Sequence, residues 1–181
     1  DLIDIKVLPV AIVAFLSAIG YALVTTYLPP FLVGQQMAEA ASLFFIVFAL
    51  TMLGVRLFAG RIHDRRGENA VIPLALLAFA LCLGLLAVTD SLWQVIVAAI
   101  LGGIGQGGAV PSLQAVGISR TTHDRVPIAT STHYLALDAG IAVGPVALGF
   151  TIGLSGYFGL YLAGAAVLLA SIGVYWLTHG R

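Results

Sequence analysis

The amino-acid sequence predicts an all-α membrane protein of six transmembrane helices, and three observations carry that prediction. Of the 181 residues, 60% are hydrophobic and only 9% are charged, where an ordinary soluble domain carries about 25% charged residues. The mean hydropathy of +1.07 is sustained along the whole chain rather than concentrated in one patch. Lysine and arginine gather at alternate junctions between the apolar runs. So few charges do not cover a water-soluble fold, and a formal net charge of zero leaves no basic surface for nucleic acid.

Each element follows from length. A bilayer core asks for about 20 apolar residues per helix, and runs of that kind occupy 7–28, 40–59, 71–88, 92–117, 128–153 and 157–177, one domain over 1–181. Punctuation separates them: Pro29-Pro30 with Gln35-Gln36, a charged stretch over 60–69, Thr89-Asp90-Ser91, the polar stretch 119–127, and Ser155-Gly156. Alternating polarity of period two is absent, which excludes a membrane β-barrel and leaves helices to satisfy the backbone. The first run is too long for the roughly 7–15 apolar residues of a signal peptide.

Charge placement supports the same count. Lys6 precedes the first run; Arg56, Arg61, Arg65 and Arg66 lie at the second-to-third junction, Arg120 and Arg125 at the fourth-to-fifth, and Arg181 at the end. The other three junctions hold only the acids Glu39 and Asp90. Six crossings put the two sets on opposite faces, and the positive-inside rule then places both termini in the cytoplasm of a multi-pass plasma-membrane protein. The chain opens on Asp1 rather than Met, so a piece of a longer protein is expected.

Several chemistries drop out. The single cysteine, Cys82, lies in an apolar run and excludes an internal disulfide or a Cys-based zinc site; no metal and no cofactor is implied. Gly103, Gly105 and Gly108 fit a dinucleotide fingerprint but lie inside a membrane helix with no preceding strand. Gly153-Leu154-Ser155-Gly156 resembles the G-x-S-G of rhomboid proteases. The only later histidine, His179, lies beyond the last run and cannot serve as base. With no paired catalytic groups and no phosphate-binding loop, neither an enzyme nor an ATP-driven exporter is expected.

The 21 glycines cluster in the fourth and fifth runs. Gly103 with Gly107, Gly140 with Gly144, and Gly149 with Gly153 stand four apart, the spacing that lets membrane helices approach closely. Pro111 and Pro145 each remove one backbone hydrogen bond and invite a bend. Tight helix packing is expected there, and bent glycine-rich helices also suit a protein that rocks.

The second-to-third junction reads Gly60-Arg61-Ile62-His63-Asp64-Arg65-Arg66-Gly67-Glu68-Asn69. This resembles the G-x-x-x-D-R-x-G-R-[RK] signature of the major facilitator superfamily. Gly60, Asp64, Arg65 and Gly67 match, and Glu68-Asn69 departs from the usual basic pair. The glycine run 103–111 and Asp138-Ala139-Gly140 leading to Gly144-Pro145 extend the resemblance over all six helices. It implies a fold of 3+3 inverted repeats forming one half of a twelve-helix transporter. The degraded motif and the stop at Arg181 point to the C-terminal half, helices seven to twelve. It further implies that the junction acts as a conformational latch; fixing topology is the alternative role. A small solute, protons, the lipid bilayer and a complementary six-helix half are the implied partners. Secondary transport of a sugar, drug or metabolite is the implied function, against a non-transporting scaffold that reuses the fold.

Ionisable groups inside a membrane are costly and usually functional. Asp138 stands about ten residues into the fifth run, roughly 15 Å deep, where a carboxyl expected to be buried can couple protons to transport or hold a neighbouring helix. Tyr134 lies one turn earlier on the same face and is its expected partner. Ser17, Tyr21 and Thr25 form a polar stripe on the first run. In the resembling family the first and fourth helices line the cavity, which makes Tyr21, Thr25 and Gln106 the expected cavity residues, with interhelical hydrogen bonding as the alternative. Arg56 is read as snorkelling to the interface, and Trp93 and Trp176 as interfacial anchors.

Overall fold

The apolar runs form six long helices. The computed structural model describes residues 4–66 and 68–179, with the side chains of 59–69 and 179 outside that description. The helices are α1 (Leu8–Gly34), α2 (Ala38–Arg66), α3 (Glu68–Ala87), α4 (Leu92–Ser119), α5 (Val126–Gly149) and α6 (Thr151–His179), with one 3-10 turn at His123–Arg125 before α5. No strand occurs among the described residues.

Their neighbours repeat. α2 rests on α4 as α5 rests on α1, α3 packs on α4 as α6 packs on α1, and α3 and α6 lean on each other. Exchanging the first three helices for the last three leaves that pattern unchanged. Three crossings reverse the direction of the chain, so the two triplets form an inverted repeat. α1 and α4 are the most buried helices and α2 the least. Val10, Val13, Ala14, Leu28, Phe44, Phe79, Leu83, Ala98, Leu113 and Leu168 join the helices in one apolar core.

Glycine decides how closely the helices approach. A Cβ on Gly103 would stand 2.7 Å from the carbonyl oxygen of Phe48, and one on Gly107 2.9 Å from that of Met52, so α4 meets the backbone of α2 directly. A Cβ on Gly140 would collide with the Phe15 carbonyl, and one on Gly144 would stand 3.1 Å from the Ile19 Cα, so α5 meets α1 in the same manner. Gly153 has nothing within 4 Å and takes no part in such a contact.

The helices depart from the apolar runs in three places. α1 continues through Pro29 and Pro30 to Gly34; proline forfeits a hydrogen bond but keeps a helical φ. The last turn is anchored by Phe31, whose ring lies 5.1 Å from that of Tyr157 and 5.5 Å from that of Tyr161. The charged stretch is helical over 60–66 and again from 68, because it contains no proline and three arginines and Glu68 are good helix formers. Glu68 also suits the positive N-terminus of α3. Finally, α5 ends at Gly149, earlier than the apolar run. The Thr151 hydroxyl donates to the Leu148 carbonyl (2.6 Å), and the Gly153 N–H donates to the Phe150 carbonyl (3.1 Å), opening a new turn. α6 then breaks at Gly156, whose φ of 67° is a conformation glycine favours.

Among the described residues five helices are long and apolar enough to cross a membrane: α1, α2 over Ala38–Phe58, α3 over Ala70–Ala87, α4, and α6 over Thr151–Thr178. α5 is long enough, but Thr130, Ser131, Thr132, His133 and Asp138 dilute its apolar character.

Candidate functional site

Two groups of polar side chains stand out, one in the middle of the bundle and one at its end. The middle group lies between α1 and α4. Gln106 is 8% exposed, and its Oε1 has no hydrogen-bond partner; Ser17 is fully buried, and its Oγ has none either. Helical register brings the two to one level. A Cβ on Gly117 would stand 3.1 Å from Val7, so that face of α4 looks onto α1. Gln106 precedes Gly117 by eleven residues, close to three full turns, and shares its face. The helices run in opposite directions, so a similar distance along α1 from Val7 reaches Ser17 and Ala18. Ser17 is about 14 Å from the start of α1, near half of a hydrocarbon core about 30 Å thick.

Tyr21 and Thr25, one and two turns beyond Ser17, are half-buried. The Tyr21 ring lies 6.3 Å from that of Phe48 on α2. The Thr25 hydroxyl is committed to its own helix, at 3.2 Å from the carbonyls of both Tyr21 and Ala22. Ser17 is therefore the fully buried member of the stripe, and its burial beside an apolar crossing was not legible from spacing.

α5 presents two chemically different faces. Gly140, Gly144 and the buried His133 share the face toward α1. Neither ring nitrogen of His133 has a partner, and its ring meets that of Tyr134 edge-on at 5.7 Å. Asp138, two residues before Gly140, falls on the opposite side and is exposed, together with Ser131 and Tyr134. The expected burial of Asp138 is thus not supplied by this chain, because close packing of α5 on α1 turns residue 138 outward. No hydrogen bond joins it to Tyr134. The Pro145 carbonyl accepts a hydrogen bond from the Tyr27 hydroxyl at 2.9 Å, which ties α5 to α1 near its far end. Gly60, Asp64 and Arg65 fall in the last turns of α2; their side chains, and Gly67 altogether, lie outside the described residues.

The second group is at the end of the bundle that carries the start of α1. Asp4, 3% exposed, accepts a hydrogen bond from the Thr121 hydroxyl at 2.6 Å and faces Arg125 Nε at 3.4 Å, both through Oδ2. Its Oδ1 accepts the Lys6 N–H at 3.0 Å, and its own N–H donates to Thr132 Oγ1 at 3.0 Å. The Thr121 hydroxyl, helped by the Lys6 N–H and the Arg125 charge, holds the Asp4 carboxyl below the usual carboxylate range despite the opposing effect of burial. The segment before α1 is in this way clasped to the α4–α5 turn and to α5. Among the described residues no group of three or more His, Cys, Asp or Glu is placed to hold a metal ion.

An all-helical bundle of two inverted three-helix repeats, most of its helices long and apolar enough to cross a membrane, is the architecture of a six-helix membrane lobe. The chain belongs to the Major Facilitator Superfamily, whose family model matches residues 10–181. It is 28% identical over 159 residues to multidrug resistance protein 1 of Bacillus subtilis, covering 87% of this chain and 41% of that protein. It is 26% identical over 160 residues to multidrug resistance protein MdtG of Proteus mirabilis, covering 85% and 40%. Quinolone resistance protein NorA of Staphylococcus aureus is 26% identical over 168 residues, covering 91% and 43%. The chain spans about two fifths of the length of these relatives.

Proposed function

We propose that the chain is one six-helix half, the C-terminal one, of a permease that carries a small solute across the plasma membrane by alternating access, driven by protons. Both termini then lie in the cytoplasm. The observation that carries this reading is the pair of buried, unpartnered polar groups, Ser17 Oγ and Gln106 Oε1, on facing helices. An unpartnered buried polar atom costs about 1–3 kcal/mol, and a solute or a water file that supplies hydrogen bonds in one state of the cycle explains why such atoms stand there. Tyr21 and Thr25 flank the same site. The relatives are named for multidrug and quinolone resistance, which favours a drug over a sugar or metabolite as the solute.

Asp138 is the proposed proton carrier. Its exposure on a helix too polar to face lipid alone is accounted for by the complementary half, which would stand opposite α5 and α2 and leave the carboxyl on an aqueous path between the two lobes, away from lipid. Tyr134 is its proposed hydrogen-bonding neighbour in that setting. Gly60, Asp64, Arg65 and Gly67 form the latch between halves, and Gly103, Gly107, Gly140, Gly144 and Pro145 shape the rocking helices. The test is efflux of a fluorescent quinolone from cells making the complete transporter, with and without a protonophore. Protonophore sensitivity, and an Asp138→Asn rate as low as that of the protonophore-treated wild type, are expected. A wild-type rate in Asp138→Asn would end the coupling role.

A further inference from the structure

Inside the apolar part of α2, Ala38–Phe58, the charged residues are Glu39, in the first turn, and Arg56. Arg56 is half-buried, and no hydrogen bond or ion pair engages it among the described residues. A cation within a membrane span is costly and marks a partner or a pathway. The direction of Arg56 is fixed by its neighbours. Gly54 and Phe58 border the space between α2 and α3, and Arg56 stands two residues from each, on the opposite side of α2. Leu50 and Leu57, both exposed, mark the outer side of the helix, about a third of a turn away. Met52, one turn before Arg56, backs onto Gly107 of α4. Arg56 therefore stands on the side of α2 that continues toward α1, where the Phe48 ring lies 6.3 Å from that of Tyr21.

Depth follows from the same contacts. Gly103 meets Phe48 and Thr51, and Gly107 meets Met52, so α2 and α4 run in the same direction and Gln106 is level with Met52. Arg56 lies one turn further, roughly 6 Å from the crossing of Ser17 and Gln106 toward the arginine-rich end of the bundle. On α5, Gly140 meets Phe15 and Ala18, which puts Asp138 about 3 Å from the level of Ser17 toward that same end. Arg56 and Asp138 are thus opposite charges at nearly one depth, on helices that make no contact among the described residues, and neither is paired within the chain. A guanidinium with its donors unused receives a planar two-oxygen anion through two parallel hydrogen bonds. Asp138, an acid at that depth, repels a multiply charged anion, which leaves a single carboxylate as the fitting group. We propose that Arg56 is a specificity-determining residue of the transport path, receiving the carboxylate of a solute whose remaining surface rests at Ser17 and Gln106. This assignment rests on the crossing being the solute site.

The test is a fluorescence titration of the complete transporter, purified in detergent, with a quinolone carboxylic acid and with its methyl ester. The wild type should bind the acid about 10- to 30-fold more tightly than the ester, the range of one charge-assisted pair. Arg56→Gln should weaken the acid to the level of the ester while leaving the ester within about twofold. Arg56→Lys, which keeps the charge and loses the fork, should give an intermediate ratio. The acid-to-ester ratio is read within one preparation, so partial misfolding does not move it, and the Lys variant decides where the Gln variant yields no folded protein. Equal binding of the two compounds by the wild type, or a wild-type ratio in the deciding variant, overturns the proposal and leaves the crossing untouched as the solute site. Equal weakening of acid and ester by Arg56→Gln also overturns it, by making the arginine a contact with the complementary half. Gln106→Leu should weaken both compounds alike; if it weakens neither, the crossing fails as the solute site and the proposal falls with it.

Discussion

The clasp around Asp4 and the crossing at Ser17 and Gln106 place buried polar groups in opposite circumstances. At the clasp, both carboxylate oxygens and the backbone N–H of Asp4 are partnered, by groups drawn from the α4–α5 turn, α5 and its own segment. At the crossing, Ser17 Oγ and Gln106 Oε1 are equally buried and have no partner. A satisfied buried network fixes one arrangement of the chain. An unsatisfied one costs stability and persists where something else uses it. The clasp is therefore read as structure and the crossing as function, and substitutions separate the two.

Gln106→Leu tests the crossing and carries the largest expected effect. Loss of a hydrogen bond to solute should slow transport by about 10- to 100-fold. Stability should stay level or rise by about 1 kcal/mol, because an orphaned acceptor is removed. Efflux assays beside thermal unfolding in detergent would read both quantities, and a destabilised but fully active variant would reverse the assignment. Asp4→Ala should do the converse, lowering the unfolding temperature while leaving transport per folded molecule within about twofold, as expected of a group that holds structure alone.

Acidity sharpens the same contrast. The native carboxyl of Asp4 is held below its unfolded value, so its stabilisation is present above the unfolded carboxylate range, about pH 4, and is lost as pH falls through the lower native value. Unfolding temperatures of the wild type and Asp4→Asn should therefore differ at neutral pH and begin to converge only below about pH 4, meeting once the pH is under the lowered native value. A difference independent of pH would remove the carboxylate from the clasp. Tyr161 provides the smallest and cleanest control: its hydroxyl is also buried without a partner, but it sits among aromatic rings near the far end of α1 rather than at the crossing. Tyr161→Phe should raise stability by about 1 kcal/mol and leave efflux unchanged.

Helix number and order were legible because apolar length speaks directly in a bilayer, and the alternating arginines fix the same count. The ends were less so. Pro29 and Pro30 read as punctuation, yet packing of Phe31 carries α1 past them, and the charged stretch after Ala59 reads as a loop although its residues favour helix. The depth of Asp138 followed from counting, but its direction depends on which face of α5 meets α1. Gly140 and Gly144 mark that face, and a residue two before Gly140 must then point away, a signal present in the sequence once the glycines are taken as the contact. The clasp was not legible at all. Asp4 looks like a solvated acid before the first apolar run, and its partners Thr121 and Arg125 are more than a hundred residues away, brought near only by the packing of α1 on α5.

The central claim is that the outward face of α5 borders an aqueous solute path between two lobes rather than lipid. Thiol accessibility in the complete transporter tests it most directly, with Asp138→Cys in a Cys82→Ala background and a membrane-impermeant thiosulfonate as reagent. The account predicts labelling of Cys at 138 that slows when solute is present, while Leu81→Cys on the outer face of α3 stays unlabelled. Failure of the cysteine at 138 to react, with or without solute, would contradict it.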